Sequence, residues 1–383
     1  MLQGDFVRQM PAGGGGVSSE RRSRAQRIHL DLPLLMLLIL LTGVGLVVLY
    51  SASDRHLGVM QRQGQYLLIA YLCMFALAQI KVRVYQRLAP FAYAGALLLL
   101  LAVLLFGTGA KGAQRWLDLP GLPRFQPSEL VKLVMPLMVA WYLAGRVLPP
   151  RPADIVAVLV IVFVPTLMIL KQPDLGTSLL VAVSGLLVLY FAGIHWRYIG
   201  LALAAGLASL YPAWHFVLHD YQKQRVLTLL NPESDKLGAG WNIIQSKTAI
   251  GSGGWSGKGW LQGTQSHLDF LPEGHTDFII AVLAEEFGLR GVIALLAIYL
   301  LIIARAVMIC LRAQGVFAGL LAACLTFMFF VYIVVNVGMV SGLLPVVGVP
   351  LPLVSQGGTA VIALMAGFGV LMAIGTEQRR MIS

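Results

Sequence analysis

The acidic side chains of this sequence are few, and several of them border or interrupt apolar runs. Only 17 of the 383 residues are Asp or Glu, yet Asp277 directly precedes an apolar run that contains Glu285 and Glu286. Ionisable groups at the edge of a membrane are costly and are functional candidates by default. A carboxylate partly removed from water binds a proton more tightly, which suits it to deprotonate a hydroxyl group. We therefore predict that Asp277 is a general base, with a simple helix N-cap as the alternative.

The segment that ends at Asp277 is rich in polar residues. Glu273 and His275 lie four and two residues before Asp277, and His275 can orient the carboxylate or relay its proton. His267 and Asp269 add further metal-ligand types. Because no His-Glu-x-x-His spacing occurs here, we expect no protein-bound zinc.

Glu129 and Lys132 form a second candidate pair, in a helix opened by Pro127. Proline suits the first turn of a helix, and a spacing of three places both side chains on one helical face. One interpretation is a structural ion pair that anchors the helix end. The other is the wall of a polar cavity, with Lys132 facing an anionic group of a substrate.

Two further candidates flank the apolar runs. Trp116, beside Arg115, is either an interfacial aromatic anchor or a platform on which a sugar stacks, with Arg115 near a phosphate. Asp174 lies in a break between two apolar runs and is either a helix N-cap or a functional acid. Lys171 lies next to this break and pairs with Asp174 or faces a lipid headgroup.

The glycine-rich stretch 251–258 superficially resembles a phosphate-binding loop. Its spacing does not fit, because Ser252 stands where the first glycine is required and Lys258 is followed by Gly259. We reject nucleotide binding and expect a flexible, tryptophan-bearing rim for a long amphiphile.

The composition indicates which elements position these residues. Hydrophobic residues make up 58% of the chain, charged residues 12%, and the mean hydropathy is +0.80. A soluble chain carries about 25% charged residues, so a soluble protein is excluded. The apolar runs are continuous, unlike the alternating segments of a membrane β-barrel. We predict an all-α, polytopic integral membrane protein with ten transmembrane helices, at 32–51, 64–81, 88–107, 128–145, 154–171, 176–194, 198–217, 287–311, 316–341 and 358–377.

The positive charges indicate the orientation of these spans. With a cytoplasmic N-terminus, inside segments hold 15 Lys or Arg and short outside loops hold six, as the positive-inside rule requires. Both termini are then cytoplasmic. Residues 1–30 form a disordered tail and 31–383 the membrane domain. Within this domain, 218–286 is a large extracytoplasmic loop between the seventh and eighth predicted spans. The net charge of +11 reports orientation and anionic lipid rather than nucleic acid.

Five motifs spread over most of the chain together resemble the SEDS family (shape, elongation, division and sporulation), and the length and short tails are most like its RodA branch. Gln356 departs from the family pattern, in which Tyr or a small residue occupies this position. This departure leaves the local role of position 356 open. The motifs are Gln114-Arg115-Trp116, Gln126-Pro127-Ser128-Glu129 with Lys132, Gln172-Pro173-Asp174-Leu175-Gly176-Thr177, 271–278, and Asn336 with 342–359.

The resemblance implies a peptidoglycan glycosyltransferase that polymerises lipid II on the outer face of the cytoplasmic (inner) membrane during cell elongation and shape maintenance. Asp277 matches the essential carboxylate of the family. The resemblance also implies a class B penicillin-binding transpeptidase and MreC and MreD as partners, and Mg²⁺ or Mn²⁺ bound with the substrate pyrophosphate. The predicted substrate-binding residues are Arg115, Trp116, Glu129, Lys132, Lys171, Asp174, Glu273, His275 and Ser355.

Two other functions stay open. A lipid II flippase also uses many spans and buried charges, but it needs a polar path that reaches both faces, and the candidate residues cluster outside. A non-catalytic scaffold for cell-wall enzymes leaves the interfacial acids without a role.

Overall fold

The computed structural model describes residues 29–110, 113–117, 125–217, 220–235, 238–267 and 274–377. The predicted tail therefore lies almost wholly outside the described residues. The helices are α1 Leu32–Ala52, α2 Leu57–Ala78, α3 Val82–Phe106, α4 Pro127–Ala144, α5 Pro152–Leu170, α6 Leu175–Phe191, α7 Trp196–Pro212, α8 Asp220–Leu230, α9 Ala239–Gly253, α10 Thr264–His267, α11 Ile279–Arg312, α12 Gly315–Val340 and α13 Thr359–Thr376.

A helix lies at each of the ten predicted spans, and the fold is that of a polytopic, mainly helical membrane protein. Within the described residues, eight helices are long and apolar enough to cross a membrane. Helix α2 falls outside this set, since Gln61, Arg62, Gln63 and Gln65 lower its hydropathy. Helix α6, with 17 residues, is apolar but shorter than the ~20 residues that a perpendicular span requires.

Three helices form the centre of the bundle. More than half of the apolar part of each of α4, α12 and α13 is buried. In contrast, no residue of the segment Trp196–Phe216 is buried. This segment comprises α7 and most of a π-helical turn, Ala213–Val217. The first two turns of α4 thus place Glu129 and Lys132 among buried helices at one end of the bundle, while α7 lies apart from the packed core.

The all-α prediction misses one small feature. Strand β1, Thr108–Ala110, pairs with β2, Ala113–Trp116, as an antiparallel hairpin between α3 and α4. Leu117 and Phe125 extend the pairing by an isolated bridge. This hairpin fixes the position of Arg115 and Trp116.

The long segment before α11 is built of helices rather than of an open loop. It contains α8, a 3₁₀ turn at Pro232–Ser234, α9 and α10. Helix α9 packs into the protein through Ser246, whose hydroxyl donates to the Val340 carbonyl (2.9 Å).

Helix α11 is interrupted at Gly288, which has a φ of +65° and a ψ of −164°. Glycine adopts this conformation because it has no Cβ. The break divides α11 into a short helix, 279–287, and a long one, 289–312. The sequence predicts the same division, as a short helix 277–286 followed by a span from 287.

Candidate active site

Asp277 lies in a turn, 274–278, that immediately precedes α11 and is held from α12 and from the loop that follows α12. The Asn336 side-chain amide donates to the Asp277 carbonyl (2.8 Å) and to the Val349 carbonyl (2.7 Å). The Ser355 hydroxyl donates to the Thr276 carbonyl. Asn336 is completely buried, and together these three bonds fix the backbone of the turn.

The Asp277 side chain is half-buried and faces Gly348. A Cβ added to Gly348 would lie 3.4 Å from Asp277 Oδ2, and the φ of +77° at Gly348 disfavours any other residue there. Phe278, one residue after Asp277, is the N-cap residue of α11 and makes no side-chain cap. The Asp277 carboxylate is partly removed from water, and its role as a general base stays a prediction.

Glu129 and Lys132 form the predicted ion pair on α4. Lys132 Nζ lies 2.7 Å from Glu129 Oε1, and both side chains are about 11% exposed. The ammonium group also lies 5.4 Å from the centre of the Tyr332 ring on α12, a cation–π distance. The three residues line one part of a cavity of about 60 Å³ between α4, α12 and α13 whose other walls are mainly apolar. The ion pair is therefore confirmed and borders a cavity, while a contact between Lys132 and an anionic group of a substrate stays a prediction.

The hairpin is fastened to the break between α5 and α6 by a third cluster. Arg115 donates to the Pro173 carbonyl (2.6 Å), and its Nε lies 3.6 Å from Asp174 Oδ2. The Gln126 amide also donates to Asp174 (3.3 Å). Asp174 in addition caps α6 by accepting from the Thr177 amide (3.2 Å). The N-cap prediction for Asp174 is therefore confirmed, and its role as a functional acid stays a prediction.

The loop between α12 and α13 joins these clusters. Gly176, two residues after Asp174, is packed so closely against Val347 that a Cβ would collide with it. The next residue, Gly348, faces Asp277, and Pro350 lines the cavity of Glu129 and Lys132. The three candidate groups thus surround one loop at one end of the bundle.

The other predicted substrate-binding residues differ in their accessibility. Trp116 and His275 are half-buried, and Lys171 is exposed at the end of α5. Ser355 is 1% exposed, accepts from the Leu351 amide (2.9 Å) and donates to Thr276. The geometry therefore gives Ser355 a role in positioning the turn rather than in touching a substrate. Glu273 lies outside the described residues.

Asn336 is the residue of this site that the sequence predictions passed over. It belongs to the C-terminal motif, and an amide within an apolar helix is the signal that identifies it. In the Asn336→Leu variant, the buried Val349 carbonyl and the partly buried Asp277 carbonyl would lose their donor, and an unpaired buried group costs about 1–3 kcal/mol. We expect a lower melting temperature and a fall in turnover of about tenfold or more, since a misplacement of 1 Å can cost a hundredfold. Thermal melting in detergent and turnover per folded protein measure both effects.

Thr326→Val is the matched control on the same helix. Thr326 is also buried, but its hydroxyl donates only to the Ala322 carbonyl within α12 (2.8 Å). We expect this variant to retain wild-type turnover. Equal losses in the two variants would mean that Asn336 supports helix packing in general rather than the turn of Asp277.

Proteins of similar sequence share almost the whole chain. Peptidoglycan glycosyltransferase MrdB of Escherichia coli K12 is 54% identical over 357 residues, which cover 93% of this chain and 96% of MrdB. Probable peptidoglycan glycosyltransferase FtsW of Geobacter sulfurreducens is 36% identical, covering 91% of this chain and 95% of its own.

Solved structures and a family model agree with this likeness. A chain of a peptidoglycan synthase complex that coordinates polymerization and crosslinking has a TM-score of 0.79 at 33% identity and covers 90% of this chain and 97% of its own. The rod shape determining protein RodA of Thermus thermophilus has a TM-score of 0.68 at 31% identity and covers 90% of this chain and 96% of its own. The family model of the FtsW, RodA and SpoVE cell cycle proteins matches residues 31–380. The chain therefore belongs to the FtsW, RodA and SpoVE family of cell cycle proteins.

Proposed function

We propose that this protein is a peptidoglycan glycosyltransferase that joins lipid II units into glycan strands during cell elongation. Lipid II carries a disaccharide-peptide on a polyprenyl pyrophosphate, so its tail remains in the bilayer while its head reacts at the surface. The observation that carries the proposal is the half-buried Asp277 at the end of the bundle that also holds the Glu129–Lys132 pair. In this proposal Asp277 acts as a base at the membrane boundary, where the reacting sugars would lie.

In the proposed reaction, Asp277 accepts the proton of the 4-hydroxyl of the acceptor N-acetylglucosamine. The oxygen attacks C1 of the donor N-acetylmuramic acid from the face opposite the pyrophosphate. The new C–O bond forms as the bond from C1 to the phosphate oxygen breaks, and the pyrophosphate leaves with the electron pair. The configuration at C1 is inverted. Lys132 and Arg115 are the cationic candidates to stabilise charge on the leaving group.

A divalent cation, Mg²⁺ or Mn²⁺, enters with the substrate in this proposal. Magnesium is commonly bound through one or two carboxylates together with substrate phosphates. Within the described residues there is no group of three His, Cys, Asp or Glu that could hold a metal ion. The cation would neutralise charge on the pyrophosphate.

The proposal includes a topology and partners. In the proposed topology, ten spans would put both termini in the cytoplasm and the segment 218–286, with the candidate site, outside the inner membrane. The similarity to a chain of a synthase complex supports a class B penicillin-binding transpeptidase as partner, which would crosslink the strands. MreC and MreD complete the proposed elongation assembly.

A flippase is the second candidate function, and the charges at the opposite end of the bundle argue against it. There, Arg305 donates two hydrogen bonds to the Asp31 carboxylate (2.7 and 3.0 Å). Arg146 Nε lies 3.5 Å from Asp154 Oδ1. These acids are engaged in pairs that tie helix ends together, which favours a site restricted to one face.

Vesicles that contain the purified protein with its transpeptidase partner distinguish the two functions. Fluorescent lipid II would be added with Mg²⁺, and both chain growth and movement between leaflets would be recorded. We expect glycan strands to form without faster transbilayer movement than in empty vesicles. Rapid movement of lipid II without strand formation would overturn the polymerase proposal and favour the flippase.

A further inference from the structure

The glycine-rich stretch that the sequence singled out has a defined structural role. Residues 253–260, here called the strap, lie across the break in α11. The break at Gly288 interrupts the helical hydrogen-bond pattern and would leave four backbone groups unpaired. These are the amides of Leu289 and Arg290 and the carbonyls of Glu285 and Glu286. The strap pairs all four groups. The bonds run from Leu289 N to Gly254 O (2.9 Å), from Arg290 N to Trp255 O (3.3 Å), from Lys258 N to Glu285 O (3.0 Å) and from Gly259 N to Glu286 O (3.0 Å).

This pairing explains the glycines and corrects the expectation of a flexible rim. A Cβ on Gly253 would collide with the Ala284 carbonyl, and one on Gly257 with the Glu286 carbonyl. Gly257 and Gly288 both have positive φ values. The glycines thus permit a close approach between two backbones rather than the binding of a phosphate.

The Glu285 side chain holds the strap and the start of α10 together. It is completely buried, and its Oε1 accepts from Lys258 Nζ (2.6 Å) and from the Gln265 amide (3.0 Å). Thr264 donates to the same oxygen through its amide (2.9 Å) and its hydroxyl (3.1 Å). A buried carboxylate with four donors is a strong anchor, because loss of its cation leaves an uncompensated charge in an apolar environment.

We infer that Glu285 and Lys258 are positioning residues for Asp277, an inference that rests on the proposed function. Glu285 belongs to the short helix 279–287, which starts two residues after Asp277 and rises about 9 Å from Ile279 to Glu285. Asn336 and Ser355 hold the turn before this helix. The Lys258–Glu285 pair holds the other end of the helix against the strap. Asp277 is thus oriented by anchors at both ends of one rigid element.

The test compares Lys258→Met with Lys258→Arg in the full-length protein with its transpeptidase partner, using labelled lipid II. Lys258→Met is expected to lower the turnover number about 10- to 100-fold, as a small misplacement of a reacting group does. The KM for lipid II should stay within about twofold, because the inference assigns both residues to positioning rather than to substrate binding. Lys258→Arg retains the charge and should restore at least about a third of the turnover. Arg290→Met, which removes an exposed cation bound to Ser256 of the same strap, should leave turnover unchanged.

Rates are expressed per folded protein, so that a loss of folding is not mistaken for a loss of turnover. The inference would be overturned if Lys258→Met had unchanged turnover, or if only its KM for lipid II rose. Glycan strands formed by the wild type would in either case leave the proposed function intact. If Lys258→Met does not fold, Thr264→Val replaces it, since Thr264 is exposed and its hydroxyl contacts both Lys258 and Glu285. We expect a turnover about threefold lower, because the variant loses both hydrogen bonds of this hydroxyl, and an unchanged value would overturn the inference.

Discussion

Asp277→Asn is expected to lower the turnover of lipid II by about 10²–10⁴-fold at saturating substrate, the usual contribution of a general base. The substitution preserves the size of the side chain, and the backbone bond from Asn336 to the Asp277 carbonyl does not depend on the carboxylate. The variant should therefore fold, melt at a similar temperature and bind lipid II. Initial rates of lipid II consumption, with the KM measured alongside, check this expectation.

Asp277→Glu is the companion variant. It retains a carboxylate but moves it by one methylene towards Gly348, where space is limited. We expect a rate between those of the wild type and Asp277→Asn. A loss of less than about tenfold in Asp277→Asn would contradict the assignment of the base.

Lys132→Met is expected to lower both stability and turnover. It leaves Glu129, which is 9% exposed, without its cation, and an uncompensated buried charge costs about 3–5 kcal/mol. Turnover should fall by about 10²–10³-fold if the ammonium group also stabilises the leaving pyrophosphate, as loss of one charge-stabilising donor does elsewhere. Thermal melting and polymerisation rates, measured on the same preparation, test the two parts.

The double variant Glu129→Gln/Lys132→Met separates the two effects. It removes both charges together, so most of the lost stability should return. The turnover should remain low, since the cation is still absent. Recovery of both stability and turnover would show that the pair is purely structural and that Lys132 takes no part in the reaction.

The sequence predicted the helices well because long apolar runs need little tertiary information. It also predicted a separate span from 287, one residue before the break at Gly288. The hairpin that carries Arg115 and Trp116 was missed because strands of three and four residues leave no alternating pattern to detect.

The partners of the candidate residues were harder to predict, because they are distant along the chain. Asn336 and Asp277 are 59 residues apart, and Lys258 and Glu285 are 27 apart. No helical or strand periodicity relates residues at such separations. The Glu129–Lys132 pair was predicted because both members lie on one helical face. Ser355 was assigned to substrate binding because its motif does not reveal that its hydroxyl is directed to the backbone.

The most direct test of the account is a gel of products from purified protein, partner transpeptidase, labelled lipid II and Mg²⁺. Wild-type protein is expected to yield a ladder of glycan strands, and Asp277→Asn, folded and present at the same concentration, is expected to yield none. A ladder of equal intensity from Asp277→Asn would contradict the catalytic role of Asp277. Absence of a ladder from the wild type with its partner would contradict the polymerase itself.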